Sequence, residues 1–107
     1  MDALLRPVEF HILLSLAEED RHGYAIRTAT AARTDGEVML EPGTIYRALH
    51  RLLELGFVAE SAPRTGEDER RRTYRLTAPG RRVLAAEAER LAKLVAAAQK
   101  TRVLGRT

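Results

Sequence analysis

The 107-residue sequence contains no cysteine and no tryptophan, and aromatic residues make up only 5% of it. Without cysteine the chain cannot provide disulfides, thiolate nucleophiles or zinc sites with sulfur ligands. No apolar stretch approaches the ~20 residues that cross a bilayer, and the N-terminus lacks the basic start and apolar run of a signal peptide. We therefore expect a cytoplasmic protein that has no membrane partner.

Residues that could carry catalysis are also sparse. Ser15 and Ser61 have no histidine and acid partners in a recognisable motif, and no glycine-rich phosphate loop is present. His11, His22 and His50 lie on separate segments without metal-ligand spacing, and His11, among apolar residues, is expected to be a satisfied packing histidine. The sequence therefore predicts no enzyme, no metal site and no bound cofactor.

The residues that are present suit one small folded domain with a polyanionic partner. Hydrophobic residues make up 45% and charged residues 31% of the chain, which is ordinary for a globular protein. The formal net charge is +3 and the isoelectric point is about 9.8. Because many small proteins are mildly basic, the position of the charges matters more than their sum.

Hydrophobic periodicity predicts three helices in the first half of the chain. The first starts with Pro7 in its opening turn and continues to Ala17. The second begins near His22 and is closed by a turn signal at residues 34–36. The third has Pro42 in its first turn and ends at Gly56, and its buried face carries Ile45, Leu49, Leu52 and Leu53. Its other face is polar and mostly basic, with Thr44, Tyr46, Arg47, His50, Arg51 and Glu54.

A hairpin and a fourth helix are predicted to follow. Residues 57–61 and 70–76 form the expected strands, joined by a polar loop at residues 63–69. The hairpin carries five arginines: Arg64, Arg70, Arg71, Arg72 and Arg75. Thr77 is expected to cap the last helix, which has Pro79 in its first turn.

The last helix has an apolar stripe close to a heptad repeat, made of Leu84, Ala88, Leu91, Leu94, Val95 and Ala98. A helix of about 25 residues spans roughly 40 Å, which is longer than a small core needs. An exposed stripe of this kind favours pairing with a second copy of the chain. The alternative is that it packs back on the first helix of the same chain.

This order of elements predicts a mainly α winged helix-turn-helix with a small β-hairpin, α-α-α-β-β-α. In that fold the third helix enters the major groove of double-stranded DNA, and the hairpin contacts phosphates or the minor groove. Simpler explanations remain: the helix cations could be a solvated face, and the acids at residues 67–69 could neutralise the hairpin arginines. A winged helix that binds protein rather than DNA is the main alternative function.

Three motifs in sequence order resemble the PadR family of bacterial transcriptional regulators, over nearly the whole chain. They are His22-Gly23-Tyr24-Ala25-Ile26, then Pro42 to Leu52 (PGTIYRALHRL) followed by Gly56-Phe57-Val58, and Tyr74-Arg75-Leu76-Thr77-Ala78-Pro79-Gly80. The resemblance implies a homodimeric winged-helix repressor that binds a two-fold symmetric operator. It divides the chain into a DNA-binding domain, residues 1–77, and a dimerisation helix with a short tail, residues 78–107.

The resemblance also implies roles for single residues. Thr44, Tyr46, Arg47, His50 and Arg51 fall on the recognition helix, and Gly43 allows close approach to a phosphate at its N-terminus. His22 and Tyr24 fall beside the DNA backbone, although His22 could only cap the second helix and Tyr24 could mainly pack against the third.

Two departures from the family pattern concern DNA and ligand binding. Glu41 stands where many members have a serine, and its negative charge would oppose a nearby phosphate. The absence of tryptophan removes the residues with which some members hold flat aromatic compounds. A small-molecule effector is compatible with the resemblance, but nothing in the sequence specifies its identity.

Overall fold

The computed structural model describes residues 5–61 and 72–104, and within them the chain forms four helices and three short strands. In chain order they are α1 (Pro7–Glu18), β1 (Arg21–His22), α2 (Gly23–Arg33), α3 (Pro42–Leu55), β2 (Val58–Ser61), β3 (Thr73–Leu76) and α4 (Ala78–Thr101). The predicted order of three helices, two strands and a final helix is confirmed, with β1 as an unpredicted addition. No helix in the described ranges is long and apolar enough to span a membrane.

The predicted start and stop signals act where the sequence places them. A proline stands in the first turn of α1, α3 and α4, where its missing N–H leaves no helical hydrogen bond unmade. Thr77 caps α4, since its Oγ1 accepts a hydrogen bond from the Gly80 N–H at 3.1 Å. Helix α3 ends at Gly56, which has the left-handed conformation of a C-terminal cap.

The three strands form one antiparallel sheet in the order β1-β3-β2. Val58 pairs with Leu76 at one end of the β2–β3 ladder, and Ser61 pairs with Thr73 at the other. On the other edge of β3, Arg21 pairs with Tyr74 and His22 with Thr73. Strand β1 is only two residues long, so it has no periodicity that a sequence pattern could detect.

A single core lies between α1, α2, α3 and the sheet. Its buried apolar residues are Leu5, Ile12, Leu13, Leu16, Ile26, Leu40, Ile45, Leu49, Leu52, Val58, Tyr74 and Leu84. Helix α1 is central, because it packs against α2, α3, β3 and α4. The elements that are predicted to meet DNA and those predicted to dimerise are therefore held by one helix.

Polar side chains, some buried and some exposed, join α1 to β1 and α2. The hydroxyls of Ser15 and Thr30 are fully buried and lie 3.4 Å apart, and Arg33 donates to the Ser15 hydroxyl at 3.2 Å. The Glu18 carboxylate accepts hydrogen bonds from both Arg33, at 2.8 Å, and Arg21, at 3.1 Å. These contacts satisfy the buried hydroxyls and fix α2 against α1.

His11 differs from the satisfied packing histidine expected from the sequence. It is half-buried on α1, and its Nδ1 has no hydrogen-bond partner within the part of the chain that the structure describes. Burial, followed by the nearby Arg33 guanidinium, lowers the pKa of His11 below its usual value. The prediction of packing is confirmed, but the prediction of a satisfied side chain is wrong for Nδ1.

The start of α4 packs closely against the two residues that follow α3, Gly56 and Phe57. A Cβ atom added to the buried Gly80 would lie 2.0 Å from the carbonyl oxygen of Phe57, so only glycine fits there. The Thr77 hydroxyl also donates to the Gly56 carbonyl at 2.7 Å, and the Thr77 N–H donates to the Phe57 carbonyl at 3.1 Å. These contacts fix the direction in which α4 leaves the domain.

Candidate nucleic-acid interface

Helix α3 has one buried side and one solvent-facing side. Ile45, Leu49 and Leu52 are almost completely buried and hold the helix against the core. On the opposite side Tyr46, Arg47, His50 and Glu54 are exposed, whereas Thr44 and Arg51 are half-buried. The predicted division of this helix into an apolar face and a polar face is confirmed.

Arg47 is an exposed cation in the second turn of α3. Its only described partner is the hydroxyl of Thr44, to which it donates a 3.4 Å hydrogen bond, and no carboxylate of the described residues pairs with it. A Cβ atom on Gly43 would lie 3.3 Å from Arg47 Nη1, so the guanidinium rests over the first turn of the helix. Glu41 stands at the N-cap without a side-chain capping hydrogen bond. Arg47 can therefore change partners at little cost.

The other two basic residues of α3 have acidic partners. The exposed His50 places Nε2 3.6 Å from Oε1 of Glu54, one turn later. Arg51 extends instead toward α1, where its Nη1 lies 2.6 Å from Oε2 of the buried Glu9. The sequence predicted three solvent-facing basic residues on this helix, but the structure turns Arg51 toward the protein.

The start of α2 lies beside the exposed side of α3. The ring of Tyr46 covers Gly23, and a Cβ atom there would lie 2.9 Å from the tyrosine hydroxyl oxygen. Tyr24, Arg27 and Pro42 join these two residues in lining a groove of about 210 Å³. Tyr24 is 65% exposed, so packing against α3 does not account for most of its surface. Two largely exposed tyrosines therefore stand where α2 and α3 meet.

His22 acts as a cap. Its Nδ1 accepts a hydrogen bond from the Ala25 N–H at 3.2 Å, and its backbone belongs to β1. The capping role that the sequence left open is therefore confirmed. Because the side chain is half-buried and Nδ1 is engaged, only part of the residue remains available to a ligand.

The described part of the wing is less basic than its sequence indicates. Arg64, Arg70 and Arg71 lie outside the described residues. Arg72 is exposed and donates to Oε1 of Glu60 on the neighbouring strand at 2.8 Å. Burial, followed by the charge of Glu60, raises the pKa of Tyr74, which anchors β3 in the core.

Two further arginines stand at this surface that the sequence did not single out. Arg6 is exposed, and together with Thr44 and Arg47 it lines a groove between the start of α1 and α3. Arg27 lines the groove at Tyr24, and its Nε donates to the Leu40 carbonyl at 2.9 Å. Only the fold brings these residues to α3, although the position of Arg6 directly before the helix-starting Pro7 was a weak signal.

The stripe of α4 is divided between the core and solvent. Leu84 is only 7% exposed and belongs to the core of its own chain, as the fold-back alternative requires. Leu91 and Ala98 are half-buried, while Ala88 is exposed. Further along, Leu94 is 54% and Val95 50% exposed, and nothing in the described residues covers them.

Known proteins show the same sequence pattern and fold. A sequence model of the PadR-like transcriptional regulators matches residues 12–86, whereas no curated protein matches the chain in sequence. A transcriptional regulator from Clostridium thermocellum is 29% identical, with a TM-score of 0.74 and 87% of each chain covered. A PadR family transcription regulator from hypervirulent Clostridium difficile is 24% identical over 88% of this chain and 96% of that one, with a TM-score of 0.71.

Bacillus subtilis PadR, solved in complex with operator DNA, has a TM-score of 0.66 and 23% identity over 76% of this chain and 46% of that chain. These structures confirm the predicted winged helix-turn-helix. Because the matching family and structures are transcription regulators, the prediction that the chain is not an enzyme is also confirmed. The chain belongs to the PadR-like family of transcriptional regulators.

Proposed function

We propose that this protein is a homodimeric repressor that binds a two-fold symmetric DNA operator. The observation that carries the proposal is the exposed polar side of α3, where Arg47 has no acidic partner among the described residues and the opposite side is buried in the core. A helix held in this way can enter the major groove and present hydrogen-bonding side chains to base edges. The solved complex of Bacillus subtilis PadR with operator DNA supports the same use of this fold.

The contacts divide into base reading and phosphate binding. Arg47, Thr44 and His50 would face the bases, since they lie on the exposed side of α3. Tyr24, Tyr46 and Gly43 would lie along the DNA backbone, where hydroxyl and backbone groups bind phosphates. On the wing, Arg64, Arg70 and Arg71 would contact phosphates, whereas Arg72 would first have to leave Glu60. Residues 1–77 form the DNA-binding domain in this proposal.

The dimer would form through residues 78–107, with α4 as its main element. The exposed residues Leu94 and Val95, together with Ala88, Leu91 and Ala98, form an apolar surface that a second copy would cover. Two-fold pairing is the commonest way to cover such a surface. It would place two copies of α3 on successive turns of one face of the DNA, which explains a symmetric operator.

The place of action and the signal follow from this function. A transcriptional regulator works where the DNA lies, so we place this one in the cytoplasm. Release from DNA would be controlled by a small-molecule effector or by protein concentration, because the chain has no thiol that could sense redox state.

Selection from a pool of random DNA duplexes tests the proposal directly. We expect an enriched two-fold symmetric sequence, bound at least ~10³-fold more tightly than random duplex at about 150 mM salt. A gel-shift assay with the region upstream of the protein's own gene then tests self-repression. Failure to enrich any sequence would contradict the proposal and favour a winged helix that binds protein.

Arg47→Ala tests the reading role of α3. We expect affinity for the selected duplex to fall by about 1–3 kcal/mol, with relaxed preference at one base position. Lys100→Ala, which removes an exposed cation at the far end of α4, is the matched control. Equal losses in the two variants would show that the effect comes from net charge.

A further inference from the structure

Arg51 is a cation of the proposed recognition helix α3, and it forms an ion pair with a buried residue of α1. Its partner Glu9 lies in the first turn of α1 and is only 1% exposed, whereas the Arg51 side chain is 31% exposed. One Glu9 oxygen accepts from Arg51 at 2.6 Å, and the other accepts from the Arg6 N–H at 2.8 Å. Both oxygens of this buried carboxylate are therefore engaged.

The cost of leaving this partner distinguishes Arg51 from Arg47. If Arg51 turned toward a base or a phosphate, it would leave a buried carboxylate without its cation, which is strongly unfavourable. Among the contacts of the described residues, Arg47 loses just a 3.4 Å hydrogen bond to Thr44 when it moves. The two arginines stand one helical turn apart, so an anchor at Arg51 fixes the rotation of α3 next to Arg47.

We propose that Arg51 is a positioning residue rather than a base-reading one: with Glu9 it fixes α3 against α1 and so aims Thr44 and Arg47 at the DNA. This inference rests on the proposed DNA binding. It assigns a role in DNA recognition to Glu9, whose buried side chain cannot touch DNA. It also leaves Arg47 as the cation of α3 that meets the DNA without first breaking an ion pair.

The substitution Glu9→Gln separates positioning from reading, because it removes the anchor and leaves Arg51 in place. We compare Glu9→Gln, Arg51→Gln and the double variant on the selected duplex and on random duplex, over a range of salt. We expect each variant to bind the selected duplex roughly tenfold more weakly, and the double variant to be no weaker than the weaker single variant. The salt slope and the affinity for random duplex stay at the wild-type values.

Glu37→Gln is the matched control, since it removes the same charge from an exposed position outside the proposed DNA-binding surface. We expect it to bind the selected duplex at least as tightly as the wild type. Melting temperatures are measured in parallel, and binding is assayed well below the lowest of them. A residue that supported only global stability would lower the melting temperature without changing the ratio of selected to random affinity.

The reading role makes opposite predictions. Wild-type or tighter binding by Glu9→Gln, together with relaxed preference at one base position in Arg51→Gln, would overturn the proposal. If Glu9→Gln does not fold at the assay temperature, Arg51→Lys decides. Lysine keeps the charge but lacks the planar guanidinium, so wild-type binding by Arg51→Lys would overturn the positioning role. A wild-type protein that selects no sequence would instead contradict the proposed function.

Discussion

Helices α3 and α4 are both amphipathic, yet the fold uses their apolar faces in opposite ways. The apolar face of α3 packs into the core of its own chain, where Leu49 and Leu52 are almost completely buried. The apolar stripe of α4 enters the core only at Leu84, and ten residues later Leu94 remains about half exposed, at 54%. The polar side of α3 and part of the apolar side of α4 are therefore left exposed by the fold, and we propose that they bind partners.

The difference arises from where each helix meets α1. Helix α3 is flanked by α1, α2 and β2, and these neighbours bury Ile45, Leu49 and Leu52 of its apolar side. Helix α4 has 24 residues and extends roughly 36 Å, whereas α1, against which it packs, has 12 residues. The C-terminal part of α4 therefore extends beyond α1. A hydrophobic pattern alone does not say whether the covering partner lies in the same chain.

The largest expected effect comes from placing a charge on the exposed stripe of α4. Leu94→Asp should convert a dimer into a monomer by light scattering, because a carboxylate cannot be buried between two apolar faces without a partner. Loss of the second DNA-binding domain should weaken operator binding by at least ~10²-fold. Circular dichroism should remain that of the folded chain, because Leu94 is already exposed within it.

Ala96→Asp, which adds the same charge to an exposed position on the far side of α4, should remain dimeric. A dimeric Leu94→Asp variant would contradict the proposal that the exposed apolar side of α4 forms the dimer. A wild-type protein that is monomeric at micromolar concentration would contradict it as well.

A smaller effect is expected when the two apolar faces are truncated rather than charged. Leu49→Ala should lower the free energy of unfolding by about 2–5 kcal/mol at every protein concentration, since it opens a cavity in the core of the chain. Leu94→Ala should lower stability only through weaker association, so its loss depends on protein concentration. Chemical denaturation at two protein concentrations distinguishes them, and a Leu94→Ala loss independent of concentration would place this residue in the core.

The smallest expected effect concerns the pH dependence of α4. A hydrogen bond from the Arg90 guanidinium lowers the pKa of Glu87, against the opposing effect of desolvation. Stability gained from the ionised carboxylate is therefore present above the usual glutamate pKa of about 4.3 and is lost as the pH falls through the lowered value. Glu87→Gln should flatten this part of the acid transition.

Glu89→Gln provides the control, because it removes an exposed carboxylate two residues along the same helix. An acid transition followed by circular dichroism measures both variants. An identical response of Glu87→Gln and Glu89→Gln would show that the contact with Arg90 adds nothing to stability.

Local patterns predicted much of the fold. Pro7, Pro42 and Pro79 begin helices, while Gly56 and Thr77 act as the caps that their residue types favour. The hydrophobic spacing of α3 also placed its buried face correctly. These features are set by residues within a few positions of one another, so the printed sequence is sufficient to find them.

The candidate site was less predictable, because ion pairs form between distant residues. Arg51 looked like a solvent-facing cation of α3, yet its partner Glu9 lies 42 positions earlier in the chain. Arg72 likewise pairs across the sheet with Glu60. Arg6 and Arg27 reach the same surface only because α1 and α2 pack beside α3. Charge counted along the sequence therefore overstated the free positive charge of α3 and of the described wing.

The sequence by itself determined the order of elements, the ends of its helices and the presence of two amphipathic helices, because these depend on local sterics, capping and periodicity. Only the tertiary structure decided which apolar face is buried within the chain and which remains partly exposed. It also decided that, within residues 5–61 and 72–104, Arg47 is free of acidic partners while Arg51 is anchored to Glu9. The physical reason is that burial and ion pairing depend on distances in space, which the separation of residues along a chain does not fix.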